Sequence, residues 1–173
     1  MERIYFDNAA TTAVAPQVLE AMLPCFSTVY GNASSLHTFG LEAKRSLAQA
    51  RSGLANSLGV KEHEIVITSG GTEANNLALK GIAALHEQPQ HLIVSAIEHP
   101  SVLKTARALQ QAGWQMSSLR VEPDGRVAPD TLRAALRDNT ALVSIMTVNN
   151  ETGVVQPIAE LSAIAAEHGI PFH

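Results

Sequence analysis

HLIVSAIEHPSVLKTARALQQAGWQMSSLRV, residues 91–121, reads as strand, helix and strand in succession. His91–Ser95 is a short apolar run and a helical pattern covers His99–Ala112. Gly113 suits the helix end, and a second run covers Gln115–Val121. Two short strands joined by a helix of this length imply a right-handed crossover and parallel neighbours. The alternation continues on both sides. Further runs lie at Ile65–Thr68 and Ala141–Val148, and a last one begins at Ile170. Helical patterns cover Thr72–His86, Pro129–Arg137 and Pro157–His168. Pro129 and Pro157 suit first turns, Gly169 a helix end, and Asp124-Gly125 a turn. Upstream, Pro16–Phe26 and Leu41–Leu58 read as two more helices joined by the polar link GNASSLHTFG. The expected fold is α/β, a mostly parallel sheet with helices on both faces. The expected organisation is a helical segment, residues 1–60, contributing to the active-site edge, and an incomplete α/β domain, residues 61–173.

Gly169-Ile170-Pro171-Phe172-His173 looks like a helix stop followed by the opening of another buried strand. Functional loops of open α/β sheets sit at the carboxyl ends of strands, so the expectation is that one such loop lies beyond this chain. The bulk composition narrows the class. With 46% hydrophobic and 16% charged residues, the 173-residue chain has the balance of a soluble globular protein. A net charge of −4 without a block of like charges argues against a nucleic-acid face or a polybasic membrane patch. No apolar stretch approaches the roughly 20 residues of a membrane span, and MERIYFDNAATT lacks the apolar core of a signal peptide. The single cysteine, Cys25, excludes an internal disulfide and fits a reducing compartment, so the cytoplasm is expected. Within LEAMLPCF it reads as a partly buried structural thiol.

Three loops carry candidate chemistry. In VITSGGTEANN, residues 66–76, Gly70 and Gly71 permit close backbone approach to a ligand, and Thr72 is placed to cap the helix that follows. The outward amides of a helix start attract an anion. Neither GxGxxG nor GxxxxGK[ST] is present, so a phosphate monoester suits the smaller cradle, and an empty glycine turn is the alternative. In Glu98-His99-Pro100, His99 follows a strand and could stack on an aromatic ligand, shuttle a proton, or simply cap a helix. In VNNETG, residues 148–153, two amides and a carboxylate could orient a polar ring substituent or close an Asx-type turn. Ligands of open α/β sheets bind where such loops converge. No HExxH or CxxC occurs, so no metal site is expected.

Several stretches together resemble one family. YFDNAATT, GNASSLHTFG, IVITSGGTEANNLALKG, EHPSV and LVSIMTVNNETGVVQPI are similar, in order and spacing, to the N-terminal part of the cysteine desulfurases. These are pyridoxal-phosphate enzymes of the class V aminotransferase, fold type I group. The resemblance covers the whole chain; one departure is Ala33, where proline usually follows that asparagine. It implies a partial large cofactor domain with pyridoxal 5'-phosphate as cofactor. Gly71 and Thr72 would hold the phosphate. His99, the one catalytic candidate, would stack on the pyridine ring, and Asn150 would bond its phenolic oxygen. Asn8, Ala9, Ala10 and His37 would lie near the substrate.

The implied reaction removes sulfur from L-cysteine, leaving L-alanine and an enzyme persulfide for iron–sulfur cluster assembly. A sulfur acceptor or scaffold protein would be a partner, and a homodimer is implied for the complete enzyme. The family's aspartate on the pyridine nitrogen, its cofactor-linked lysine and its persulfide cysteine have no counterpart here. Lys44, Lys61, Lys80 and Lys104 lie in the wrong context, and Cys25 is far from the expected loop. The expectation is therefore a chain inactive alone, without the covalent lysine link, and completed by a C-terminal segment or a second chain. Two alternatives remain: a non-catalytic fragment acting through protein interaction, and another class V enzyme such as a selenocysteine lyase or a transaminase.

Overall fold

Three apolar runs find each other as a parallel sheet in the computed structural model, which describes residues 3–173. The chain forms two compact units, Met1–Ile67 and Thr68–His173. The first unit holds helices α1 (Pro16–Ser27) and α2 (Thr38–Leu58), followed by a single 3-10 turn, Glu62–Glu64. Pro16 opens α1, where its missing N–H is no loss. Pro24 lies inside the same helix, and its carbonyl accepts from Thr28 and Val29 N–H at the end. No residue of α1 is buried, and Cys25 is exposed, which corrects the expected half-buried thiol: nothing in this unit covers that face.

His37 caps α2 by accepting from Gly40 N–H, and α2 ends at Gly59 in the left-handed region (φ 67°), which favours glycine. The link before α2 is folded tightly on itself. Ser35 N–H donates to Asn32 O, and a Cβ on Gly40 would stand 2.7 Å from that same oxygen. Ile65–Thr68 is not a strand. Ile65 is extended, but its carbonyl accepts from the Arg51 guanidinium and the segment pairs with no neighbour among the described residues. Apolar residues alone do not make a strand without a ladder to join.

The second unit begins with α3 (Gly71–Ala84) and continues with β1 (His91–Ser95), α4 (Pro100–Gln111), β2 (Gln115–Leu119), α5 (Pro129–Ala135), β3 (Thr140–Ser144) and α6 (Ile158–Glu167). The order is β2-β1-β3, all parallel, with β1 in the middle and buried throughout. Alternate side chains leave opposite faces of a strand. Ile93, Val143 and Leu119 therefore pack with Leu132 of α5 and Leu161 and Ile164 of α6. Leu92, Val94 and Leu142 face the other way, onto Leu79 of α3 and Val102 and Ala106 of α4. Helices thus cover both faces, as expected.

The opening of a further strand is also present. Phe172 bridges Val143 in parallel, and His173 N–H donates to Val143 O at 2.8 Å. Among the described residues no helix is long and apolar enough to cross a membrane.

Candidate active site

Because β1 and β3 are parallel neighbours, the loops at their carboxyl ends emerge side by side. The first is Ala96–His99, leading into α4; the second is the segment after Ser144. Two hydrogen bonds tie them. Met146 N–H donates to Glu98 Oε1 at 2.6 Å, and Asn149 Nδ2 donates to Ile97 O at 3.1 Å. Glu98 is buried and also accepts from Ser95 Oγ at 2.6 Å. Burial pushes its carboxyl above the usual range, against the opposing pull of the Ser95 and Met146 donors and of His99.

Between these loops and α3 lies a cleft of about 270 Å³, with Asn75, Glu98, His99, Met146, Thr147 and His173 among its lining residues. All come from the second unit. His99 caps a helix and still lines the cleft. It is the N-cap of α4, its Nδ1 accepting from Ser101 N–H at 3.1 Å, while the residue remains exposed. At α3 the expected cap is corrected: Gly70 is the N-cap, with no side-chain bond, and Thr72 lies within the first turn. Glu73 instead reaches back to Ser69 N–H at 2.6 Å, and the Ser69 hydroxyl together with that backbone donor holds its carboxyl below the usual range.

The amides of Gly71, Thr72 and Glu73 have no hydrogen-bond partner among the described residues. No atom lies within 4 Å of where a Cβ on Gly70 or Gly71 would project. The start of α3 is therefore an open set of donors one turn, about 6 Å, before Asn75. Gly71 and Thr72 do not themselves line the cleft.

The two asparagines divide. Asn149 is buried and saturated, its Oδ1 accepting from Glu151 N–H, Thr152 N–H and Thr152 Oγ. Asn150 is exposed, donates only to Glu151 Oε1, and does not line the cleft. In the first unit, Asn8, Ala9 and Ala10 form an exposed turn, Ala10 N–H donating to Asp7 O, and His37 is the cap of α2. Sequence reasoning passed over Asn75 and Ser101. The signal was there: Asn75 precedes buried Leu79 by four residues, a polar side chain on the inward stripe of α3. All four lysines are exposed and none lines the cleft.

Comparison with known proteins matches this arrangement. A family model described as aminotransferase class-V covers residues 4–173. The cysteine desulfurase IscS of Anaeromyxobacter sp. (strain K) is 49% identical over 172 residues, 98% of this chain and 43% of the relative. The putative cysteine desulfurase IscS 1 of Bacillus subtilis (strain 168) is 46% identical over 100% of this chain and 46% of the relative. The chain thus spans under half the length of these curated relatives. Among solved structures, SspA in complex with cysteine is similar at a TM-score of 0.94 and 44% identity, covering 98% of this chain and 49% of that one. A NifS-like protein reaches a TM-score of 0.96 at 37% identity, over 99% and 48%. Sequence match and backbone agree over nearly all of the chain, which belongs to the class V aminotransferase family.

Proposed function

We propose that this chain is the cofactor-cradling part of a pyridoxal-phosphate-dependent cysteine desulfurase. The observation that carries the reading is the convergence at one sheet edge. Asn75 of α3, His99 at the start of α4 and Met146–Thr147 after β3 line one cleft, with the free amides of α3 one turn away. The residues fit the group on two counts: three outward amides without partners, and open space where a side chain on Gly70 or Gly71 would stand.

Gly71 and Thr72 would hold the phosphate through those amides and the Thr72 hydroxyl, favoured by the positive end of α3. His99 would lie against the pyridine ring. Asn150 would offer to the phenolic oxygen the amide N–H that Glu151 does not take. When bound, the cofactor supplies an electron sink for the substrate's α-carbon. The substrate is L-cysteine, the reading favoured by the names of the relatives, and Asn8, Ala9, Ala10 and His37 would approach it. The lysine that links to the cofactor and the sulfur-carrying cysteine would come from outside residues 1–173, since Lys44, Lys61, Lys80 and Lys104 are all exposed and off the cleft. Cys25 lies on α1 and takes no part.

The test is a titration of the 173-residue chain with pyridoxal phosphate, followed by absorbance, with inorganic phosphate as competitor. Weak, saturable binding is expected, displaced by phosphate and weakened several-fold by Thr72→Ala. Borohydride treatment and peptide mass spectrometry should find no single modified lysine. Stoichiometric modification of one of the four lysines would overturn the account, and so would binding indifferent to phosphate.

A further inference from the structure

Asn75 enters the cleft from α3 without a part in the cofactor contacts described above. The hydrogen bonds around it have a polarity that follows from one fixed donor. The backbone N–H of Ser101 meets His99 Nδ1 at 3.1 Å, and a backbone N–H can only donate. His99 Nδ1 is therefore an acceptor and carries no proton. Ser101 Oγ stands 2.7 Å from the same nitrogen. Two lone pairs would repel at that distance, so the hydroxyl also donates to Nδ1. With its hydrogen committed, Ser101 Oγ can only accept on its other side, where Asn75 Nδ2 lies at 2.8 Å. The orientation of the Asn75 amide is thus a consequence of the donor chain rather than a free choice. The proton of the neutral His99 ring is left on Nε2, which has no partner among the described residues.

We propose that Asn75 is a positioning residue that, through Ser101, holds His99 as its Nε2–H tautomer. Nδ1 is committed to the protein, and an N–H donor rather than a lone pair is left free on the ring. The relay also fixes the imidazole plane, because Nδ1 is held by two donors from α4. It couples two parts of the site, since the helix that would receive the phosphate at Gly71 sets the histidine one turn later. This deepens the proposed function and rests on it for the identity of the ligand only. Against a bound pyridine ring, the plane and proton position of His99 decide what the ring can stack on and donate to.

The experiment is nitrogen-15 NMR of the intact, histidine-labelled protein without cofactor, at a pH where histidine is neutral. The His99 signals are identified by their loss in His99→Asn. In the wild type, Nδ1 should resonate as an unprotonated ring nitrogen and Nε2 as a protonated one. Asn75→Asp keeps the side-chain shape and removes the donor. Its carboxylate should draw the Ser101 hydroxyl away, present the Oγ lone pair to Nδ1, and shift the tautomer ratio roughly fivefold towards Nδ1–H, the worth of one hydrogen bond. In a Ser101→Ala background the same substitution should shift nothing, because the relay is gone.

A wild-type ring protonated on Nδ1, or an unchanged ratio in Asn75→Asp, would overturn the assignment. If Asn75→Asp does not fold, Asn75→Ala is read in its place, with a shift in the same direction expected and none being fatal. No cofactor is added, so failure of pyridoxal-phosphate binding would leave this result standing. A mixed tautomer would equally leave the cofactor reading intact.

Discussion

At the scale of single residues, Asn149 and Asn150 are chemically identical neighbours with opposite surroundings. Asn149 uses both ends of its amide: Nδ2 on Ile97, and Oδ1 on the N–H groups of Glu151 and Thr152. Asn149→Ala would remove the one buried side chain that holds these groups together. It should lower unfolding stability by about 1–3 kcal/mol in a denaturant titration, while Asn150→Ala should change it by less than about 0.5 kcal/mol. Equal effects would show that the loop is not held through Asn149. The sequence singled out this loop as one of three candidates, yet could not separate the two residues. The carbonyl that distinguishes them belongs to Ile97, which becomes a neighbour only through the pairing of β1 with β3. Glu98 has the same history: one of its donors is the N–H of Met146, 48 residues away in the chain.

At the scale of elements, the start of α5 was legible because Pro129 opens it, a local constraint on φ and on the missing N–H, whereas α4 starts at Pro100, one residue after the expected His99, which is its cap. Glycines in α2 show where local reading stops. Gly40 and Gly53 lie on one helix, and in one dimension both are weak points. In three dimensions a Cβ on Gly53 meets nothing within 4 Å, whereas on Gly40 it would press on the carbonyls of Asn32 and Ser35. Gly53→Ala should therefore raise stability by about 0.5–1 kcal/mol. Gly40→Ala should lower it by about 1–3 kcal/mol by forcing the GNASSLHTFG link away from the helix. Thermal unfolding of the two variants side by side checks both signs. Ile65–Thr68 failed as a strand for the complementary reason. Its composition suited one, but among the described residues no neighbour offers a ladder, and Arg51 takes the Ile65 carbonyl.

At the scale of the whole molecule, His91 ties all three strands. Its Nδ1 lies 2.8 Å from Thr140 Oγ, which also accepts from Arg137 N–H, and its Nε2 lies 2.9 Å from Ser117 Oγ. Burial, with a smaller contribution from the nearby Arg137 charge, pushes the imidazole down to about 4. The ring is neutral in the folded protein, while an unfolded chain takes up the proton near 6.5. Its contribution to stability is thus complete above about pH 6.5 and lost as pH falls towards 4, at up to about 1.4 kcal/mol per pH unit. Glu98 works against this, because a raised carboxyl pKa favours the folded state as pH falls. The comparison is therefore wild type against His91→Gln across that window. The wild type should lose stability more steeply, and parallel curves would show that His91 is not the group responsible.

By itself the sequence determined the alternation of strands and helices, the parallel crossovers and the helix start at Pro129. Each of these follows from local periodicity or from the backbone of a single residue. Only the tertiary structure decided which asparagine is structural, that Gly70 rather than Thr72 caps α3, that Cys25 is exposed, and that Asn75 and Ser101 stand behind His99. Those outcomes rest on hydrogen bonds and burial between segments far apart in the chain. The physical reason is that a side chain's partners are chosen by strand order and register, and no short stretch of sequence contains them.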